Sequence, residues 1–142
     1  MEIGLLVARA ILGLALAAHG AQKLLGWFGG HGFEATLQGM TSMGLPAVIV
    51  LLVMIAEFFG SIGLVTGFLG RVGAFGIFCV MVGAILTVHL HNGFFMNWEG
   101  TQKGEGFEYH LLAIGMAVAI MVKGSGRLSV DRSMTPDRRI YR

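Results

Sequence analysis

The sequence is poor in the residues from which many enzyme sites are built. Cys79 is the single cysteine among 142 residues, so the chain can form neither an internal disulfide nor a C-x-x-C dithiol. It contains no Ser-His-Asp arrangement, no P-loop and no G-x-G-x-x-G turn between a strand and a helix. These absences exclude intrinsic dithiol chemistry and leave no motif for a bound electron carrier.

Charged residues are also scarce. They make up 13% of the chain, against 55% hydrophobic residues and a mean hydropathy of +0.75. A soluble domain of this size buries only about 70% of its surface, which is too little to hide so many apolar side chains. The net charge of +2 gives no indication of nucleic-acid binding. We therefore predict an integral membrane protein in contact with the lipid bilayer.

Long apolar runs predict the architecture. A helix of about 20 apolar residues can cross the roughly 30 Å hydrocarbon layer of a membrane. We predict an all-α fold, an integral membrane four-helix bundle with an interfacial segment between helices 1 and 2. This segment includes a short amphipathic helix over residues 33–43. The four spans are predicted at about residues 3–25, 45–69, 72–95 and 107–122.

Basic residues predict the orientation. We divide the chain into a transmembrane domain, residues 1–123, and a basic tail, residues 124–142. Because short cytoplasmic segments carry the excess of Lys and Arg, we place the tail in the cytoplasm, and with four spans the N-terminus as well. Arg9 interrupts the first apolar run, which argues against a cleaved signal peptide. We expect Arg9 to extend its side chain to the cytoplasmic headgroups.

Polar residues within the predicted spans form the candidate site, because each costs on the order of a few kcal/mol in a membrane unless it is paired. His19, Gln22 and Lys23 fall at positions i, i+3 and i+4 of one helix, so they share a face. The topology places polar residues of three helices within roughly 10 Å of the outer membrane boundary. They are His19, Lys23, His89, Asn92, Glu108 and His110. We predict an outward-facing polar pocket among them.

Glu57 lies deeper, near the middle of the second span. At about 16 Å from the outer boundary, its carboxylate cannot reach the headgroups. It must therefore be protonated or paired, and His19 is the donor nearest in depth. We assign Glu57 and His19 as the candidate catalytic residues. Lys23, close to the end of its helix, either joins the site or extends to the headgroups.

The first candidate ligand is a quinone. Its reduction takes two electrons and two protons, so its site needs hydrogen-bond donors and a group that relays protons. The candidate ligand-binding residues are Gln22, Lys23, His89, Asn92, Glu108 and His110. Two alternatives use the same histidines, because His19, His89 and His110 could instead ligate a haem iron or a single metal ion.

Several motifs resemble the DoxX family of small four-helix bacterial membrane proteins. The segments that carry the resemblance are His19–Leu24, Ala56–Gly60, Asn92–Phe95 and Gly124–Asp131, and the likeness extends from about residue 3 to 131. The family pattern is carried over to His19, Lys23, Glu57 and Asn92, whereas His110 rests on its spacing alone. The resemblance implies a place in the bacterial cytoplasmic (inner) membrane and an oxidoreductase role, since relatives include a membrane subunit of thiosulfate:quinone oxidoreductase.

The resulting hypothesis is an oxidoreductase subunit that binds a quinone or a similar small redox molecule. Because the sequence shows no electron carrier, a partner protein would supply the electrons. The alternative is a non-catalytic anchor or assembly subunit of a larger redox complex, in which the polar residues form only an internal network. Gly63 and Gly67, four residues apart in the second span, favour close packing within the monomer and leave a homo-oligomer open.

Overall fold

The structure of the protein is a computed structural model that describes residues 2–134, and this part of the chain contains no β-strand. Helix α1 covers Glu2–Leu25, and the shorter helix α2 covers Gly32–Ser42. The predicted all-α fold class is confirmed, and a short helix separates the first two long ones as expected.

We call consecutive helical segments that follow one another end to end a helical column, and α1 is the first. The second and third columns each contain a π-helical turn, which the apolar pattern did not predict. The second column runs through α3 (Ala47–Ile55), the π-helical turn Ala56–Gly60 and α4 (Ser61–Thr66). The third runs through α5 (Gly70–Ala84), the π-helical turn Ile85–His89 and a 3₁₀ turn, Leu90–Asn92. Turns of the π type are rare and frequently mark functional sites.

Three columns are long and apolar enough to cross a membrane: Glu2–Leu25, Ala47–Thr66 and Gly70–Asn92. Helix α6, Glu108–Lys123, has 16 residues. At 1.5 Å per residue it measures about 24 Å, which is less than the roughly 30 Å of a hydrocarbon layer. The fourth predicted span is therefore present as a helix, but it is shorter than a full crossing.

The three long columns and α6 share one apolar core. Helix α5 packs most extensively on α6, and α1 packs on α4 and on the π-helical turn before it. The fully buried aliphatic residues of this core are Leu12, Leu16, Leu64, Ile77, Ala113, Ala117 and Ile120. Burial of these side chains holds the columns side by side along their length.

Glycines allow α1 to approach the second column closely. A Cβ atom on Gly20 would lie 2.6 Å from the backbone nitrogen of Phe58 and 2.7 Å from the carbonyl carbon of Glu57. One on Gly13 would lie 2.8 Å from the carbonyl oxygen of Ser61. Since these neighbours are backbone atoms, they cannot move aside as a side chain would. Because Gly13 and Gly20 have no side chain, α1 lies directly against the backbone of the second column, including the π-helical turn that carries Glu57.

Arg9 lies at the basal end of the molecule, which is formed by the first turns of α1, residues 67–70 and the segment after α6. Its side chain is 1% exposed and donates hydrogen bonds to the carbonyl oxygens of Leu64, at 3.2 Å, and Leu128. The expectation that Arg9 extends to the headgroups is therefore wrong. Carbonyl groups left without partners where α4 ends and where the irregular segment begins offer the guanidinium acceptors inside the protein.

Asp131 joins the basal end to the start of α5. Its carboxylate accepts hydrogen bonds from the N–H groups of Leu69 (2.7 Å) and Gly70 (3.1 Å) and from the Ser125 hydroxyl (2.6 Å). Burial raises the pKa of Asp131, but these hydrogen bonds and the charge of Arg9 outweigh it and hold the pKa below its ordinary value. The carboxylate is therefore ionised at neutral pH.

The segment after α6, which is part of the basal end, also contacts the first turn of α1. The backbone N–H of Arg127 donates to the Glu2 carboxylate at 2.7 Å. A short helix, α7, then covers Val130–Met134. The rest of the predicted basic tail, residues 135–142, lies outside the described residues.

We expect Gly20→Ala to destabilise the protein by roughly 1–3 kcal/mol, because the added methyl group would press on the backbone of Glu57 and Phe58. Gly4→Ala is the matched control in the same helix, since a Cβ there would meet nothing within 4 Å. Unfolding by sodium dodecyl sulfate in mixed micelles measures both. Equal stability of the two variants would contradict the close approach.

Asp131→Asn should destabilise the protein by about 1–2 kcal/mol at neutral pH, because charge-assisted hydrogen bonds are lost. The lowered folded pKa means that the wild-type carboxylate stabilises the fold above the unfolded value near 3.8 and loses this effect as the pH falls through the folded pKa. The difference in the free energy of unfolding between wild type and variant should therefore become smaller in acid. Unfolding measured across pH tests this, with exposed Glu99→Gln as the control. A difference in unfolding free energy that does not change with pH would argue against stabilisation by the ionised Asp131 carboxylate.

Candidate functional site

Glu57 and Lys23 form an ion pair between the second column and α1. Glu57 lies in the π-helical turn and is 3% exposed. The Lys23 ammonium, in the last turn of α1, donates to both oxygens of its carboxylate. The side chain of Lys23 is 30% exposed. The carboxylate of the pair is therefore enclosed by protein, whereas the ammonium is partly accessible from outside.

This pair corrects one expectation, for His19, and decides between the two alternatives for Lys23. The partner of Glu57 is Lys23 and not His19, and Lys23 does not extend to the headgroups. The reason is the direction of side chains on a helix, whose Cα–Cβ bonds tilt toward the helix N-terminus. For Lys23, that direction leads from the end of α1 back toward Glu57. The shorter side chain of His19 is exposed.

His89 and His110 form the second pair of the site. His89 closes the π-helical turn of the third column, and His110 lies in the first turn of α6. Their ring centroids are 4.1 Å apart, with 41° between the ring planes. The structure thus brings together two predicted site residues that are 21 positions apart in the sequence.

The hydrogen bonds of these rings determine which nitrogen atoms are available. Nδ1 of His89 lies 2.8 Å from the carbonyl oxygen of Glu105. Because a carbonyl only accepts, Nδ1 of His89 carries a hydrogen, and in the neutral ring Nε2 is left as the acceptor. His110 is 7% exposed, and its Nδ1 is buried without a hydrogen-bond partner. The site therefore presents one basic nitrogen and one polar atom that lacks a partner.

Tyr109 links the two pairs. Its ring centroid is 5.6 Å from that of His110, and Glu57 lies within electrostatic range of it. His19 in turn lies within electrostatic range of His110. We call these six residues the polar cluster: His19, Lys23, Glu57, His89, Tyr109 and His110. Tyr109 was not predicted, although its place between Glu108 and His110 at the start of a helix was the available signal.

Gln22 and Asn92 turn toward loops. The Gln22 side-chain amide donates to the carbonyl oxygen of Phe28 at 3.2 Å, within the turn that follows α1. The Asn92 side-chain amide donates to the carbonyl oxygen of Glu105 at 3.0 Å, the same oxygen that His89 contacts. Asn92 therefore positions the acceptor that orients the His89 ring.

Glu108 also contacts the loop before α6. Its Oε1 accepts hydrogen bonds from the backbone N–H of Met96 at 3.1 Å and from the indole N–H of Trp98 at 3.3 Å. The carboxylate thereby closes the loop between the third column and α6. This contact sets the start of α6 and with it the position of the next two residues.

The histidine arrangement bears on the metal hypothesis. Within residues 2–134, no group of three or more His, Cys, Asp or Glu side chains is placed to hold a metal ion. The rings of His89 and His110 lie against each other with a tilt of 41° between their planes. The ligand candidates His19, His89 and His110 thus do not form a three-histidine site in this part of the chain.

Comparison with known proteins agrees with the motif resemblance. A family model described as DoxX matches residues 4–90, more than half of the chain. The Bacillus subtilis (strain 168) protein named "Putative oxidoreductase CatD" is 31% identical over 130 residues, which cover 92% of this chain and 86% of that protein. The Escherichia coli (strain K12) "Inner membrane protein YqjF" is 30% identical over 131 residues, 92% of each chain. No solved structure matches the chain.

The matched segment contains nearly all of α1 and of the second and third columns, and with them Lys23, Glu57 and His89. Both curated relatives also align with nearly the whole of the chain. The all-helical fold with three long apolar columns is that of a membrane protein, as the motif resemblance predicts. The chain belongs to the DoxX family.

Proposed function

We propose that this DoxX-family protein is an inner-membrane oxidoreductase subunit that binds a quinone or a similar small redox molecule at the polar cluster. The observation that carries the proposal is the Lys23–Glu57 ion pair between apolar helices, with a buried carboxylate and a partly exposed ammonium. The names of the two relatives, "Putative oxidoreductase CatD" and "Inner membrane protein YqjF", support the class and the location. A separate partner protein supplies the electrons, since the sequence holds one cysteine and no motif for an electron carrier.

The polar cluster offers suitable donors for such a ligand. A quinone, when bound, takes up two electrons and two protons, and its carbonyl oxygens accept hydrogen bonds. Lys23 has three N–H donors and is partly exposed. His110 Nδ1 is buried without a partner, an arrangement that costs about 1–3 kcal/mol unless a ligand atom completes it. Both features fit a ligand with polar oxygens.

Glu57 and His89 are the residues that can hold protons. The Glu57 carboxylate takes up a proton while it stays hydrogen-bonded to Lys23. His89 keeps its Nδ1 hydrogen on the Glu105 carbonyl, so Nε2 accepts a further proton, and the same carbonyl stabilises the imidazolium that forms. His19 is exposed and lies close to His110, and we assign it the contact between the cluster and the outer aqueous phase.

A purely structural role is the competing explanation, because Lys23 and Glu57 satisfy each other without any ligand. It corresponds to the anchor or assembly subunit. The two explanations differ in what happens when the pair is replaced by apolar side chains. A structural network is needed for the fold alone, whereas a ligand site is needed for binding even when the fold is kept.

Glu57→Gln should weaken binding of decylubiquinone about tenfold, because it removes the charge that holds the Lys23 ammonium in place. Glu34→Gln is the matched control, since it makes the same change at an exposed position of α2. Quenching of intrinsic tryptophan fluorescence in detergent measures the affinity. Equal affinity of the two variants would count against the polar cluster as the binding site.

Lys23→Met should destabilise the protein by about 2–4 kcal/mol, because it leaves the Glu57 carboxylate buried without a counter-charge. The double variant Lys23→Met/Glu57→Met should recover most of this stability, since no charge is then left unpaired. Denaturation by sodium dodecyl sulfate gives both values. We expect the double variant to fold and yet to bind decylubiquinone poorly. A folded double variant with wild-type affinity would refute the quinone proposal and leave the structural role.

A further inference from the structure

The basal end of the molecule carries an open depression of about 600 Å³. It lies between the start of α5, the C-terminal end of α6 and the segment 124–134. Arg9, which is buried nearby, does not line it. The depression is therefore separate from the polar cluster, which lies at the other ends of α1 and α6.

The charge of this depression is positive. Among residues 2–134, the charged residues that line it are Arg71, Lys123, Arg132 and Asp131, a formal net charge of +2. The Asp131 carboxylate is turned toward the backbone, where it accepts hydrogen bonds from the N–H groups of Leu69 and Gly70. An anion entering the depression therefore meets an excess of cationic side chains.

Arg71 is held in place at the edge of the depression. One of its terminal nitrogens donates to the carbonyl oxygen of Val122 at 3.3 Å. Its guanidinium lies over Gly124, where an added Cβ would be 3.2 Å from the Arg71 Nε. The bond to Val122 uses one of the five N–H donors of a guanidinium. The planar group is thus positioned across the end of α6 with donors left for a ligand.

The depression also has an apolar wall, at the ends of α5 and α6. Arg71 is the second residue of α5, and Lys123 is the last residue of α6. Beside them stand Leu69, Val72 and Met134, which are 54%, 65% and 58% exposed. Cationic groups next to exposed apolar side chains, at the ends of apolar helices, suit a molecule that is anionic at one end and apolar at the other.

We propose that the depression binds the phosphate group of an anionic phospholipid. Arg71 and Lys123 contact the phosphate, for which the guanidinium has matching bidentate geometry. Leu69, Val72 and Met134 contact the glycerol and the first part of an acyl chain. Free inorganic phosphate shares the charge but has nothing to place against the apolar wall. A bound lipid joins α5, α6 and the segment 124–134, so it raises the unfolding temperature.

The test uses the full-length protein in dodecyl maltoside, titrated with phosphatidylglycerol, phosphatidylethanolamine or inorganic phosphate. Native mass spectrometry counts bound lipid, and the unfolding temperature reports stabilisation. We expect phosphatidylglycerol to be retained and to raise the unfolding temperature more than the other two at equal concentration. Equal retention of the two lipids would overturn the proposal. An equal effect of inorganic phosphate would assign the depression to a free anion and overturn the lipid assignment.

Variants locate the binding. Arg71→Gln and Lys123→Gln should each weaken phosphatidylglycerol binding about tenfold. Arg127→Gln is the matched control, because Arg127 is exposed at the same end but does not line the depression. The Lys123 side chain makes no hydrogen bond within residues 2–134, so its variant keeps the test valid if loss of the Arg71–Val122 bond disturbs the fold. An equal loss in Arg127→Gln would show a general surface-charge effect and refute the site. Glu57→Gln should bind phosphatidylglycerol as the wild type does, so the lipid and quinone proposals fail separately.

Discussion

The burial of a carboxylate among apolar helices is the constraint on which the rest of the structure depends. An ionised side chain at the centre of a membrane helix costs about 2.5–3.5 kcal/mol on insertion scales. Glu57 therefore needs a partner, and Lys23 supplies it. The pairing requires α1 and the π-helical turn Ala56–Gly60 to lie closer than side chains would normally permit. Gly20 allows this approach, because its bare backbone rests against Glu57 and Phe58.

Contacts of charged side chains fix the position of α1 at both of its ends. Near its C-terminus Lys23 is neutralised by Glu57, and near its N-terminus Arg9 is held by backbone carbonyl groups with Asp131 close by. Between these two points the helix is apolar and packs through Leu12 and Leu16. Apolar packing alone tolerates sliding and rotation, whereas two cations with fixed acceptors, Arg9 and Lys23, set one register. This register brings the end of α1 to the start of α6.

Much of the fold was predictable, because the length of an apolar run and the depth of a polar residue within it depend only on local sequence. Glu57 and Lys23 were recognisable for that reason. Their pairing was not, since a depth estimate ranks His19 nearer and ignores the tilt of side chains toward the helix N-terminus. The π-helical turns could not be predicted either, because the pattern of apolar residues is the same in an α-helix and in a helix that contains a single π-helical turn. The burial of Arg9 depends on carbonyl groups of an irregular segment, whose backbone path no periodicity reports.

The hydrogen bond from Arg9 to the Leu128 carbonyl spans 119 positions of the chain. During synthesis from the N-terminus, α1 leaves the ribosome and enters the membrane long before that acceptor exists. Until then, the guanidinium of Arg9 can use the Leu64 carbonyl but lacks its second acceptor, so its other terminal nitrogen depends on water or lipid. Final packing of α1 therefore waits until the segment that contains Leu128 has been translated.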